Sequence, residues 1–411
     1  MRAKIVAVAA FATTLLVAAP SGAKASTPAS LPATTSASVV PAPASRPAAS
    51  SSNPASLLAA SSFAPTSRPA ALSAASPSAP ASLSAAPSAA SLFAPALLPP
   101  APRGLVPAEP TPEQVGAALR RIARESHGRV RLGVIGRTND GRPVRLASVG
   151  SGPVRLLYVT QQHGDEPLGT PAAIRALWTL GVPRSPWHHW LLGRITLDIV
   201  VQANPDGAVL DQRWNNDPTA SGPYTNPGVG YDINRFHNPL TPIEDNPVPE
   251  SRAILRLWQA THPAIVVDYH MQGRYLQPDG RETTASMLWP TSPLAGAAAV
   301  TASRRVAVLN YEAMTHLAGA NVSRYPGEQY EGIARNAYGI LGSASVLIEL
   351  SNLPPDQWEF QIRSAFTSML ATAQSAADGS WRRIDPSRAD AIPPRGPALP
   401  STPAATTTPA A

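Results

Sequence analysis

The sequence predicts an α/β fold, a mixed sheet flanked by helices on both faces, and three observations predict it. Apolar runs of strand length, "VRLLYVT", "RITLDIVVQA", "AIVVDYH" and "SVLIEL", alternate with stretches of helical periodicity, as in a sheet covered on both sides. These runs are nearly continuous in apolar residues instead of alternating, which is how strands buried on both faces read. Ahead of them, "RVRLGVIG" and "RPVRLASVG" flank "RTNDG", a hairpin signal that makes the sheet mixed.

In chain order, Arg2 and Lys4 precede the apolar run "IVAVAAFATTLLVAA", and the small residues "SGAKAS" follow. That is the pattern of a secretory signal, residues 1–25, with cleavage expected after Ala25, and the run is too short to span a bilayer. Export to a periplasmic or secreted location is expected, with no membrane span in the mature chain. Residues 26–110 are almost entirely Ala, Pro and Ser. They lack the large side chains whose burial offsets a chain entropy of about 1–2 kcal/mol per residue, so a disordered spacer is expected. The tail over 385–411 reads the same way.

The folded domain is expected over 111–384. Thr111 followed by "PEQVGAALRRIA" is a helix start, with a cap, Pro at the first position and Gln at the third; Val115, Leu119 and Ile122 share its apolar face. The hairpin follows, then the strand "VRLLYVT", a helix over "GTPAAIRALWTLG" and the strand "RITLDIVVQA". After a long polar stretch come a helix over "SRAILRLWQA", the strand "AIVVDYH" and a long helix over "SPLAGAAAVTASRRVAVLNYEAMTHLA". The strand "SVLIEL" and a helix with Trp358, Ile362, Phe366 and Leu370 on its apolar face close the domain.

Composition excludes several classes. The 411 residues contain 47 prolines and no cysteine, so disulfides and thiolate chemistry are absent and a metal site must use His and carboxylates. The formal charge of +7 includes Arg2, Lys4 and Lys24 of the signal. The remaining mild excess is spread over arginines in no block, so nucleic acid is not a suggested partner.

In sheets of this kind, sites form outside the carboxyl ends of strands. His163, Asp165 and Glu166 of "QQHGDE" follow "VRLLYVT"; His270 follows "AIVVDY"; Glu349 ends "SVLIE". His163 and Glu166 are three apart, so both can reach one cation, and His270 is placed to supply the third ligand of a hydrolytic zinc site. Taken alone, His163 also reads as a surface-loop histidine and His270 as a core one. Glu349 in a central strand costs several kcal/mol unless paired or hydrated; it reads as a general base beside the metal, or as an edge-strand glutamate facing water. Asn204-Pro205-Asp206-Gly207 is a turn. Arg213, Asn215, Asp232, Asn234 and Arg235 form an amide-rich charged set; arginine there suits a carboxylate or a developing oxyanion, and a polar surface loop is the plain alternative.

The order HxxE, NPDG, R-x-N, D-x-N-R, a lone His after a strand and then "IEL" resembles the zinc metallocarboxypeptidase family, the carboxypeptidase A-like enzymes, over about residues 130–370. The resemblance implies a twisted, about eight-stranded mixed sheet and one Zn2+ per chain, held by His163, Glu166 and His270 with water completing the shell. It gives Glu349 the role of base toward that water and Arg213 that of polarising the scissile carbonyl. Asn234 and Arg235 would grip the substrate's terminal carboxylate, and Asp232 would orient His163. A mobile tyrosine is assigned to Tyr330, with Tyr325 and Tyr338 as alternatives. The loop from Arg213 to Asp232 is longer than a minimal connection. His188, His189, His237 and His316 are read as structural or surface residues. The implied substrate is a peptide or muropeptide with a free C-terminal carboxylate, and a monomer is expected. "HGDEPLG" and "INR" also occur in aspartoacylase and succinylglutamate desuccinylase relatives, so an N-acyl amino acid deacylase is one alternative, and the expected export leaves a peptidoglycan-peptide hydrolase as another. A non-catalytic zinc-containing binding protein is a further one.

Overall fold

The computed structural model describes residues 104–400. The expected signal segment, nearly all of the Ala/Pro/Ser-rich spacer and residues 401–411 lie outside the described residues.

Helix α1 (Pro112–Glu125) starts as its sequence requires. The Gln114 amide donates to Thr111 Oγ1 at 3.3 Å and the Thr111 amide donates to Gln114 Oε1 at 2.9 Å, a reciprocal cap that stabilises a helix by about 1 kcal/mol. Val115, Leu119 and Ile122 form its buried face. The expected hairpin is β1 (Val130–Arg137) with β2 (Pro143–Gly150), antiparallel. Then follow β3 (Val154–Thr160), α2 (Gly169–Gly181), α3 (Pro186–Leu192), β4 (Ile195–Val201) and α4 (Pro205–Leu210). The long loop after Arg213 contains a ribbon of β5 (Thr225–Asn226) and β6 (Gly230–Tyr231). The remaining elements are α5 (Pro249–Thr261), β7 (Ile265–Gln272), β8 (Ala285–Leu288), α6 (Ala297–Thr315), β9 (Val322–Arg324), α7 (Ala334–Ile340), β10 (Ala344–Ser351) and α8 (Trp358–Asp378).

Eight strands form one mixed sheet in the order β1-β2-β4-β3-β7-β10-β8-β9. The four central strands β4, β3, β7 and β10 are mutually parallel; β2 and β8 flank them antiparallel. Successive side chains on a strand point to opposite faces. In β3, Leu156 and Tyr158 therefore join the larger core beneath α1, α2, α6 and α8. Leu157 and Val159 join the smaller one against Ile254, Trp258 and Tyr338 of α5 and α7. This double coverage is why the strand sequences read as continuous apolar runs. In α8 the buried stripe is Ile362, Ala365, Met369, Ala373 and Ala376, with Trp358 and Phe366 only partly covered. The small residues, not the aromatics, let this helix sit close to its neighbours.

The tail requires a correction. Residues 385–400 are packed, not disordered. Pro386–Ala391 form a short 3₁₀ segment against α6, with Ala389 and Ile392 buried. The chain then runs beside β9, where Arg324 N donates to Pro393 O at 2.6 Å and Arg395 N to Arg324 O at 2.9 Å. Prolines tolerate this edge position because no ladder donor is asked of them. The domain also begins a few residues before Thr111: Leu105, Val106 and Ala108 pack on the core, and Gln202 Nε2 donates to Pro110 O at 3.0 Å. No helix among the described residues is long and apolar enough to cross a membrane.

Candidate metal centre and active site

β3 ends at Thr160, and the next residues turn sharply. Gln161 adopts φ 56° and its side chain donates to Gly164 O at 2.8 Å; the Glu166 amide donates to His163 O at 3.2 Å. A Cβ at Gly164 would lie 2.0 Å from the Gly207 carbonyl carbon, so two loops meet backbone to backbone there, which glycine alone permits. Asn204 ties the same loops. Its Oδ1 accepts from the Gly207 amide at 2.8 Å, while Nδ2 donates to Gln162 O at 3.2 Å and Trp214 O at 3.1 Å. The Asn-Pro-Asp-Gly element is thus the start of α4 and a brace between the His163 turn and the Arg213 loop.

His163, Glu166 and His270 each place a ligand atom within 4.8 Å of the other two, and all three are buried. Glu166 Oε1 lies 2.7 Å from His163 Nδ1, and Oε2 lies 2.9 Å from His270 Nδ1; the two Nδ1 atoms are 3.0 Å apart. Behind each imidazole stands a carboxylate: His163 Nε2 is 3.0 Å from Asp232 Oδ1, and His270 Nε2 is 2.9 Å from Asp268 Oδ2. With each Nε2 proton donated outward, both Nδ1 lone pairs and the Glu166 oxygens converge on one point. Donors that close repel one another unless a cation lies among them. Two imidazoles and one carboxylate are a donor set that suits zinc with an open fourth position, so the residues present fit the metal.

Burial pushes both imidazoles down, but Glu166 and Asp232 around His163, and Asp268 and Glu166 around His270, outweigh it and hold both above the ordinary histidine value. Burial also opposes ionisation of Glu166 and Asp232, yet the imidazoles hold both carboxyls well below the usual range, with Arg213 and Arg235 assisting at Asp232.

Glu349 pairs in register with His270 of β7 and with Ser286 of β8, so adjacent strands set its side chain beside the cluster. It is 8% exposed and its Oε2 has no hydrogen-bond partner among the described residues. Desolvation, countered by His270 and reinforced by Glu166, pushes its carboxyl up to about 7. Arg213 is fixed by Asp232, donating from Nη2 at 2.8 Å and Nε at 3.2 Å, and its Nη1 is 3.6 Å from Glu166 Oε1. Asp232 thereby binds an imidazole with one oxygen and a guanidinium with the other. Asn215 holds the loop rather than facing the cluster: its Oδ1 accepts from the Tyr231 amide at 2.7 Å and its Nδ2 donates to Glu250 Oε2 at 3.1 Å.

A cavity of about 530 Å³ opens over these groups, and His163, Glu166, Arg213, Asn234, Arg235 and Glu349 all line it. Asn234 Nδ2 is 3.2 Å from His270 Nε2 and its Oδ1 accepts from the Ala334 amide at 2.9 Å. Tyr330 is placed elsewhere: it stacks on Tyr224 at 4.5 Å and is not part of the cavity wall, whereas Tyr325 is. Tyr338 is fully buried.

Several residues of the site carry no motif that singles them out. Asp268, two residues before His270, shares its strand face by the period of two; the "D-Y-H" spacing is a usable signal. Gln162 donates to Asp268 Oδ2 at 2.7 Å, and His237 links Gln162 Oε1 at 2.6 Å to the Tyr338 hydroxyl at 2.9 Å. Burial pushes His237 down to about 4, so it is a neutral brace, in line with its structural reading. Arg335 and Arg395 also line the cavity, and nothing in the sequence around them marks it.

No significant match to this chain occurs among curated proteins. Among solved structures, carboxypeptidase A from Helicoverpa armigera superposes with a TM-score of 0.52 at 18% identity, covering 66% of this chain and 74% of that one. Bovine thrombin-activatable fibrinolysis inhibitor, solved with tick carboxypeptidase inhibitor, gives 0.50 at 17%, covering 66% and 97%. A metallo-carboxypeptidase from Burkholderia cenocepacia gives 0.49 at 19%, covering 66% and 69%. At these identities the first two likenesses establish a shared fold. Residues 115–352 match the zinc carboxypeptidase family, a span that contains the whole metal cluster, Arg213 and Glu349; the chain belongs to the zinc carboxypeptidase family and is a metallocarboxypeptidase-type hydrolase.

Proposed function

We propose that this protein is an exported carboxypeptidase with one zinc per chain, which hydrolyses the C-terminal peptide bond of its substrate with Glu349 as general base. The observation that carries the reading is Glu349 itself: a buried carboxylate, one oxygen unpartnered among the described residues, in register with His270 of the candidate ligand cluster. A purely structural zinc site has no use for it. The basic, apolar and small-residue succession at the N-terminus supports export. Every residue invoked belongs to one chain, so a monomer suffices.

His163, Glu166 and His270 would hold the zinc, which when bound would supply Lewis acidity toward water and the scissile carbonyl. Glu349 takes a proton from the attacking water and returns it to the departing amine as the C–N bond breaks. Arg213, fixed by Asp232, stabilises the oxyanion that develops at the carbonyl, a contribution of about 3–4 kcal/mol for one well-placed donor. Arg235 holds the terminal carboxylate, with Asn234 beside it, and so restricts cleavage to the chain end. Tyr325 on the cavity wall is better placed than Tyr330 to cover the bound residue.

Digestion of a mixed peptide library, with and without a chelator, tests the reading. Loss of single C-terminal residues that the chelator abolishes is expected. Release of acyl groups from amino acids with intact peptides, or no release at all, sinks it.

A further inference from the structure

The cavity holds more positive charge than the reaction needs. Four guanidiniums line it, those of Arg213, Arg235, Arg335 and Arg395, against the carboxylates of Glu166, Glu328 and Glu349. Glu166 belongs to the metal cluster and Glu349 to the proton transfer. Glu328 is an exposed rim residue, 3.7 Å from Arg235. Arg213 is paired with Asp232.

Arg335 is different from the rest. It is only 3% exposed, and no carboxylate stands within ion-pair distance of it among the described residues. Its Nε has no hydrogen-bond partner among the described residues, while Nη2 donates to Glu328 O at 2.6 Å and Thr291 Oγ1 at 3.2 Å. The carboxylates of Glu328 and Glu349 act on it only from beyond ion-pair distance; a buried cation without a contacting counter-charge is costly, and a fold that keeps one on a cavity wall leaves a place for an anion. Arg335 sits in the first turn of α7, directly after Ala334, whose amide binds Asn234 Oδ1. A Cβ on Gly332 would lie 2.2 Å from Arg235 O, so this segment is pressed against the Asn234–Arg235 turn. Arg335 thus follows directly on the segment that packs against the turn carrying Arg235, and both guanidiniums line the same cavity. Arg395 approaches the same region from the C-terminal segment, with its guanidinium 3.7 Å from the Tyr275 ring and 4.4 Å from the Tyr325 ring, and Nη1 donating to Gln272 Oε1 at 2.9 Å. It too has no carboxylate partner among the described residues.

We infer that Arg335, with Arg395 across Tyr325, forms a subsite for a second carboxylate, so that the enzyme removes C-terminal residues with acidic side chains. The inference rests on the carboxypeptidase reading above. The guanidinium supplies the planar pair of donors that a side-chain carboxylate accepts, and the apolar wall of Ile333 and Leu347 carries the methylenes of the same side chain.

The test uses the purified zinc-loaded enzyme and four matched peptides ending in Glu, Asp, Leu or Lys. Wild type is expected to prefer Glu or Asp over Leu, with Lys slowest. In Arg335→Met the Glu-to-Leu ratio of kcat/KM should fall about 10- to 100-fold, the worth of a hydrogen bond to a charged group. The loss should appear in KM for the Glu peptide, while cleavage of the Leu peptide rises. Arg395→Met, on a peripheral segment, should lower the same ratio and stands in should Arg335→Met not fold. A wild-type preference for Leu or Lys, or a ratio unchanged by the substitution, overturns the subsite. Failure to cleave all four peptides and a broader library would instead overturn the carboxypeptidase reading.

Discussion

Glu349→Gln separates the proposed chemistry from mere metal binding. The substitution keeps the shape of the side chain and removes its capacity to take a proton. Because Glu349 Oε2 has no hydrogen-bond partner among the described residues, the amide breaks no bond seen there, and replacing a desolvated acid with a neutral group leaves folding intact or improves it. His163, Glu166 and His270 hold one another and their partners Asp232 and Asp268 without Glu349, so zinc content should remain at one per chain by elemental analysis. A positioned general base contributes about 10²–10⁴-fold. Here the base sits beside the cluster on a rigid central strand, so the upper half of that range is expected. A fall in kcat of about 10³-fold corresponds to about 4 kcal/mol of barrier. KM for a C-terminal peptide should change little, since Arg235 and the cavity wall are untouched. Steady-state kinetics on one peptide, paired with metal analysis of the same sample, reads both quantities. A variant with full zinc that retains activity within about tenfold of wild type, far short of the loss a base should cause, removes Glu349 from the chemistry. A variant that loses zinc together with activity makes it a ligand instead.

Four further outcomes are expected. His163→Ala and His270→Ala should each empty the metal site, and full zinc content in either would strike that residue from the ligand set. Asp232→Asn keeps a hydrogen-bond acceptor for His163 but not the charge; zinc affinity in a chelator competition should drop about 10–100-fold, and an unchanged affinity would refute the orienting role. Glu250 is fully buried; desolvation, partly offset by its own helix amide and Asn215, pushes its carboxyl up to about 7 from 4.5. An acid whose folded value is raised stabilises fully below its unfolded value, and that stability is lost as pH rises through about 7, roughly 3 kcal/mol in all. Glu250→Gln should therefore flatten the decline in melting temperature between about pH 5 and 8, and an identical decline would remove Glu250 as its source. Ile392→Ala should cost about 2–5 kcal/mol in denaturant unfolding, where a cost below about 0.5 kcal/mol would mean the C-terminal segment does not help hold the fold.

The sheet and the metal cluster are legible in the sequence because their signals are local. Continuous apolar runs identify β3, β4, β7 and β10, and each site residue assigned to a strand end lies at one. Strands β8 and β9 are not legible: four and three residues long, they form only because Ala285–Leu288 finds a partner in β10 and Val322–Arg324 finds one in β8. The order of the C-terminal segment escapes for a related reason. Its Pro-rich composition matches that of a disordered tail, while its order comes from edge hydrogen bonds to Arg324 and Leu276 together with burial of Ala389 and Ile392, none of which periodicity can show. The choice among Tyr330, Tyr325 and Tyr338 stays open in the sequence because the spacing there is not decisive, and spacing says nothing about which ring meets Tyr224.

Residues 107 positions apart meet at His163 and His270 because of strand order, not sequence spacing. Parallel neighbours place their carboxyl ends side by side about 4.8 Å apart. β7 lies between β3 and β10, so the turn after β3 delivers His163 and Glu166, the end of β7 delivers His270, and the end of β10 delivers Glu349 to the same edge. The antiparallel strand β8 contributes only Ser286 at that level, since its chain runs the other way. The loops that must add charge from outside the sheet, Arg213 and Asp232, need separate braces, and these are Asn204, Asn215 and the Gly164–Gly207 contact. The motif residues thus fall into two physical groups. Those on strand ends are positioned by the sheet, and those between strands hold the loops that the sheet does not reach.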